Sequence, residues 1–254
     1  FREFFRVNES GGFCHEKDVR AFLNLLTKED KDSLYPYANE EYRNIFRHTL
    51  WMVPGVKEAR ALSAMLQTHP VFQHAGDGDQ DEESRDALEA VEQAIGKDPD
   101  ATRTITLSCG RLTTGVSVKA WTAVFMLSGS YNTAASSYMQ TIFRVQTPAT
   151  INGRMKEQCY VFDFAPDRTL KVIAETAKIS SKAGKTSQSD RKAMGEFINF
   201  CPIISIEGSQ MNRFDVPRML EQLKRVYVER VVRNGFEDNS LYNDELMKLD
   251  DLEL

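Results

Sequence analysis

Gln140 and Arg144 stand four residues apart in a stretch with helical spacing, which puts both on one face of a short helix. A guanidinium is planar, forked and permanently charged, so an arginine there suits the γ-phosphate of a nucleotide during phosphoryl transfer. Upstream lie two turns of small and hydroxylic residues, Ser108-Cys109-Gly110 and Thr113-Thr114-Gly115. Their main-chain amides and hydroxyls are of the kind that hold phosphate oxygens. Each feature also has an ordinary reading: a lone arginine can be a surface ion-pair partner, and a Thr-Thr-Gly turn can be only a turn.

What would bring them together is an open α/β sheet, whose ligand crevice lies at the carboxyl ends of its strands. Thr49–Val53, Thr104–Ser108, Thr122–Leu127 and Cys159–Phe164 are short runs, apolar on both faces, as covered parallel strands should be. Helical spacing recurs over 16–27, 40–48, 56–67 and 134–145. Pro54-Gly55 makes a tight turn between a strand and a helix, and Pro148 ends the helix that carries Tyr138, Gln140 and Arg144. Residues 77–100 hold ten acidic against two basic residues, yet Leu88, Val91, Ala94 and Ile95 mark a solvated helix closed by Gly96. The alternation predicts an α/β fold with an open parallel sheet flanked by helices.

The 254 residues carry 41% hydrophobic and 27% charged side chains, enough for a buried core in one or two units. A net charge of −5 excludes a uniformly basic coat for nucleic acid but leaves room for a local basic groove. Cys14, Cys109, Cys159 and Cys201 lie far apart without a Cys-x-x-Cys pair, the pattern of reduced cytoplasmic usage. His15, His48, His69 and His74 never fall at metal-ligand spacing. No apolar run reaches the ~18 residues a membrane helix needs. The chain opens at Phe1 without Met, which we read as a piece of something longer.

Three motif-like stretches fail on spacing. Gly184-Lys185-Thr186 lacks the glycine of a phosphate-binding loop at position 179, where Ile stands, and follows a helix rather than a strand. Asp77, Asp79 and Asp81 alternate as in a calcium loop, but Glu82 and Leu88 occupy the places of its glycine and its bidentate glutamate. Pro166-Asp167 with Asp190-Arg191-Lys192 mimics a metal nuclease, although its lysine falls in a helical stretch instead of a strand.

The order Leu50–Leu66, Thr104–Val118, Gln140–Thr147 resembles motifs IV, V and VI of superfamily 2 helicases, in their second RecA-like motor domain. The nearest flavour is the motor subunit of restriction-modification systems of the type I, type III or single-polypeptide kind. The resemblance covers 45–168, about half the chain. It implies that Trp51–Lys57 is motif IV. It implies that Ser108, Arg111, Thr113, Thr114 and Lys119 touch a nucleic-acid backbone, that Gly115 and Ser117 relay to nucleotide, and that Gln140 and Arg144 are catalytic, with Arg144 the arginine finger. Phe143 stands where the family often has Gly, Thr147 where it has a second Arg, Ser117 where it has Asp and Lys119 where it has Pro. Arg144 is therefore the only finger candidate.

On this resemblance the expected architecture is a helical linker segment at 1–48, a RecA-like helicase C-terminal domain at 49–169 and a mostly helical extension or coupler at 170–254. ATP and Mg²⁺ would be bound mainly by a first RecA-like lobe elsewhere in the same polypeptide, since no Walker loop or Mg²⁺-binding box occurs here. The chain alone would not hydrolyse ATP. Double-stranded DNA would be contacted through phosphates, with Arg103, Arg154 and Lys156 assisting, and methyltransferase, specificity and nuclease domains would be neighbours; no membrane is involved. Two other readings stand beside it: a non-catalytic RecA-like or flavodoxin-like association domain, and an RNA helicase lobe.

Overall fold

The structure is a computed structural model that describes residues 2–29, 35–72, 76–77, 84–110, 117–128 and 135–165, with shorter pieces at 188–189, 192, 195–196, 204–207, 210–213, 217 and 219–221. The chain divides into two compact units, Phe1–Pro166 and Asp167–Leu254. In the first, the order is α1 (Glu16–Leu26), α2 (Glu40–Ile45), β1 (His48–Met52), α3 (Val56–Gln67), β2 (Gly76–Asp77), α4 (Ser84–Ile95), β3 (Thr104–Ser108), β4 (Ala123–Met126) and α5 (Ala135–Phe143). A 3-10 turn at Arg144–Gln146, a hairpin of β5 (Thr150–Ile151) and β6 (Arg154–Met155), and β7 (Tyr160–Asp163) complete it.

Five strands form one parallel sheet in the order β2-β3-β1-β4-β7. This is the open α/β sheet flanked by helices that the alternation of strand-like and helical runs predicts. Every residue of β1, β3 and β4 is buried, as strands covered on both faces must be. From β1 the chain moves two places one way to β2, whereas β2 to β3, β3 to β4 and β4 to β7 all move the other way. Right-handed crossovers then place α3 on one face and α4 and α5 on the other.

The α3 face carries Trp51 of β1, Val53 just beyond it, Ile105 and Leu107 of β3, Phe125 of β4 and Phe162 of β7 in one hydrophobic core with Leu62 and Leu66 of α3. Trp51 stacks on Phe125 at 4.8 Å between ring centroids, and Phe125 on Phe162 at 4.7 Å. Tyr37 stacks on Phe125 at 5.8 Å. Its hydroxyl meets Thr49 Oγ1 at 3.0 Å, and the same oxygen accepts the Trp51 indole N–H at 3.0 Å. Burial holds the Tyr37 phenol protonated well above the ordinary tyrosine range.

Residues 1–48, expected as a helical linker segment, pack on the sheet. They belong to the same compact unit as the sheet. Phe5, Phe13, Val19, Leu23 and Leu26 are buried in the α3-face core. The physical reason is aromatic: Phe4, Phe5, Phe13 and Phe22 interlock edge to face, and Phe22 meets Phe164 just beyond β7 at 5.1 Å. A sheet with one wide apolar face needs more cover than α3 alone, and α1 with its Phe-rich approach supplies it.

Smaller differences follow local chemistry. The edge strand β2 is only two residues long, with Gly76 and Asp77 paired to Thr104 and Ile105. Gly96 closes α4 with a φ of +74°, the left-handed cap expected of it. Asn152-Gly153, both with positive φ, turns the β5–β6 hairpin. Beyond 166, where a mostly helical extension is expected, β8 (Ile204–Glu207) and β9 (Gln210–Arg213) form an antiparallel hairpin. Most of that expected helical extension over 170–254 lies outside the described residues.

If the N-terminal segment is structural cover, Phe5→Ala should destabilise the chain by about 3 kcal/mol, the usual cost of emptying a buried phenylalanine site. Urea denaturation of the two proteins checks this; an unchanged midpoint would show that residues 1–48 are dispensable.

Candidate functional site

Strands β1 and β4 are neighbours whose following helices, α3 and α5, depart to opposite faces. That makes a topological switch point, where the loops separate and leave a crevice at the carboxyl ends of the strands. The backbone there is tightly tied. Met52 O accepts from Leu127 N at 2.9 Å and Ser128 N at 2.7 Å, and Val53 N donates to Ser108 O at 2.8 Å. Ser108 is buried at the tip of β3, and its Oγ accepts from Gly110 N at 3.3 Å, so this hydroxyl shapes its own turn. Gly110 has a φ of +126°, a conformation that side chains resist. Cys109 is half-buried and not disulfide-bonded.

Of the expected phosphate-binding turn, Arg111, Thr113, Thr114 and Gly115 lie outside the described residues. Ser117 and Lys119 are exposed in the approach to β4, at the amino end of that strand. Trp51 of the motif IV stretch is fully buried in the core, so it serves packing, while Lys57 in the first turn of α3 is exposed.

Gln140 and Arg144 are not on one continuous helix. Helix α5 ends at Phe143, and Arg144 begins the 3-10 turn. Tyr138 and Thr141 face inward, Gln140 is exposed and Arg144 is half-buried. The helical spacing was real up to Phe143; the tighter turn follows because Pro148 and the hairpin force the chain back toward β7.

The position of Arg144 corrects a second expectation. The carbonyl of Val145 lies with those of Lys119 and Trp121 around one ammonium, Lys156 Nζ, at 2.9, 3.1 and 3.0 Å. Lys119 and Trp121 precede β4, whose first residue is level with Thr49 at the start of β1. The Arg144 turn therefore sits at the amino end of the sheet. Ser108 sits at the other end, about 13 Å along a strand of five residues. A helix that leaves the carboxyl end of β4 must run back down the sheet before β7 can start in parallel, and it delivers its last residue at the bottom.

Three basic residues expected to assist at nucleic acid are engaged within the chain. Arg103 binds Glu40 and the Asn44 amide oxygen, Arg154 binds Asp100, and Lys156 binds the three carbonyls. Arg103 holds the Glu40 carboxyl below the usual carboxylate range, and the Asn152 and Arg154 hydrogen bonds do the same for Asp100. Burial lowers the Lys156 pKa.

What sequence reasoning missed is the polar seam joining these groups. Asn152 Nδ2 donates to Asp98 and Asp100, both at 2.8 Å, docking the hairpin on the loop before β3. The His48 ring spans the same loop: Nε2 lies 2.7 Å from Pro99 O and Nδ1 2.9 Å from Thr104 Oγ1. A carbonyl can only accept, so Nε2 carries the proton and Nδ1 accepts from the threonine. The Asn-Gly dipeptide at 152 was the available signal for the hairpin; nothing in the sequence pointed to its partner acids.

Among the described residues, no three His, Cys, Asp or Glu side chains converge so as to hold a metal ion. None of the described helices is long and apolar enough to cross a membrane.

Burial pushes the His48 pKa below its ordinary value, and that of His69 likewise. The unfolded chain then binds more protons near pH 6, so stability should be full above about pH 7.5 and fall as pH drops through the unfolded value of about 6.5. Denaturation midpoints between pH 5 and 8 should show this slope, and His48→Gln should flatten it; an equal slope in both would assign it elsewhere.

No protein-family profile matches the chain. It is similar to a Mycoplasma pneumoniae protein provisionally named as the C-terminus of a type II restriction enzyme and methyltransferase, with 27% identity over 226 residues. The match takes in 86% of this chain but only 31% of that protein, so the chain spans about a third of its relative. Among solved structures it is similar to the C-terminal part of the Fun30 ATPase domain, with 13% identity, a TM-score of 0.37, and coverage of 84% of this chain and 63% of that one.

Proposed function

We propose that the chain is the second motor lobe of an ATP-dependent DNA translocase or helicase within a restriction-modification polypeptide. The observation that carries the restriction-modification half is the similarity, spread over most of the chain, to a protein named restriction enzyme and methyltransferase. The motor half is supported by the order of the three helicase-like stretches on an open parallel sheet with a switch point between β1 and β4.

The two ends of the sheet take different duties in this reading. At the carboxyl ends, the segments that follow β1, β3 and β4 would meet DNA. Contacts from such segments to DNA would be phosphate-directed, salt-sensitive and indifferent to sequence. At the amino end, Arg144 would face nucleotide held by another lobe. ATP and Mg²⁺ fit this chain only in part: Arg144 can meet the γ-phosphate, while metal and remaining phosphates belong to that other lobe. Placing the arginine on a turn at one end, with strand contacts at the other, gives lobe closure a way to couple nucleotide state to grip on DNA.

In the complete polypeptide, Arg144→Ala should lower DNA-stimulated ATP hydrolysis by about 10³-fold or more, with DNA binding retained. Steady-state turnover with and without DNA measures it, and turnover close to that of the unaltered protein would remove the motor reading. An ordered lobe that binds neither DNA nor a nucleotide-loaded partner lobe would favour the protein-association module instead.

A further inference from the structure

Lys156 is a half-buried lysine whose ammonium makes three hydrogen bonds, to Val145 O at 2.9 Å, Trp121 O at 3.0 Å and Lys119 O at 3.1 Å. An ammonium has three protons, so its donor capacity is filled. The acceptors come from two separate segments, the 3-10 turn that begins at Arg144 and the approach to β4. Without the lysine, three carbonyls would point at one another with nothing between them.

The residue is itself anchored. Lys156 N donates to Ala149 O at 2.9 Å, closing the base of the β5–β6 hairpin. The hairpin is fixed by Asn152 and Arg154 to Asp98 and Asp100, and the loop carrying those acids is fixed by His48 to the first residues of β1 and β3. A continuous run of polar contacts thus leads from the residue beside Arg144 to the two strands that end at Met52 and Ser108. On the turn itself, Thr147 Oγ1 donates to Arg144 O at 3.2 Å.

We propose that Lys156 is a positioning residue for Arg144: by gathering the carbonyls of Val145, Trp121 and Lys119, it clamps the arginine-bearing turn to the amino end of β4. This rests on the motor reading for what Arg144 does, but the clamp itself is a property of this chain. A tripod of donors is needed, and a compact ammonium supplies it, whereas the planar fork of a guanidinium would not fit three carbonyls converging on a point.

The test uses four forms of the complete polypeptide: unaltered, Arg144→Ala, Lys156→Met and the double variant. Lys156→Met should lower the kcat of DNA-stimulated ATP hydrolysis by about 10- to 100-fold, as expected for a catalytic group displaced by about 1 Å, with the KM for ATP little changed. In the Arg144→Ala background it should lower kcat no further, because a mispositioned group that is already absent cannot lose more. An equal factor in both backgrounds, or no effect in either, overturns the proposal. Turnover unaffected by Arg144→Ala defeats the motor reading instead. The clamp is then read separately by amide hydrogen exchange, which should quicken at least 10-fold at 145–147 in Lys156→Met while β1 and β3 keep their protection. Unchanged exchange at the turn overturns the proposal whatever the kinetics show. Should Lys156→Met not fold, Lys156→Gln, which keeps two donors, replaces it in both measurements.

Discussion

Strand β1 has to satisfy four neighbours at once. Its main chain bonds in register to β3 on one side and β4 on the other, and its side chains alternate between a face packed by α1 and α3 and a face turned toward the opposite helices. Nothing in it can be polar without a partner, which is why its three polar side-chain groups are all paired. Thr49 Oγ1 is shared by Tyr37 and Trp51, the Trp51 N–H ends on that oxygen, and His48 has both nitrogens filled. The rest of the unit takes its bearings from this strand, since a one-residue slip would exchange the Trp51 and Leu50 faces and strand every one of those groups.

That constraint also explains why the two ends of the sheet differ. The carboxyl end is built from turns that bond main chain to main chain, through Met52, Ser108, Leu127 and Ser128. The amino end is built from side chains, with Asp98, Asp100, Asn152, Arg154 and Lys156 reaching between loops. Long charged residues at the second end fasten separate segments together, at little net gain for each exposed pair but with a defined geometry where the ammonium is half-buried.

Much of the fold was legible because covered strands leave a plain signature: short β-rich runs that are apolar on both faces, separated by helical spacing. Thr104–Ser108 is the clearest case, since its bounds in the sequence and in the structure coincide. The N-terminal segment was not legible in the same way. Its amphipathic helix could be recognised, but a helix pattern does not say what its apolar face meets, and the Phe22–Phe164 contact joins residues too far apart to be read from spacing. The surroundings of Arg144 were hidden at the same level. Periodicity placed Gln140 and Arg144 on one helix face but could not see the 3-10 turn, and it could not show which end of the sheet the helix would reach. Arg154 and Lys156 were expected at nucleic acid because their acceptors here, Asp100 and three carbonyls, are distant in sequence or belong to the main chain.

Gly55 and Glu58 at the mouth of α3 carry one further consequence. Glu58 folds back so closely that a Cβ on Gly55 would come within 2.5 Å of its Oε2. The positive end of the helix dipole is thereby furnished with an internal anion. Any other anion would have to displace that tethered carboxylate to reach the amides that open the helix, so the end of β1 is closed off by the chain's own charge.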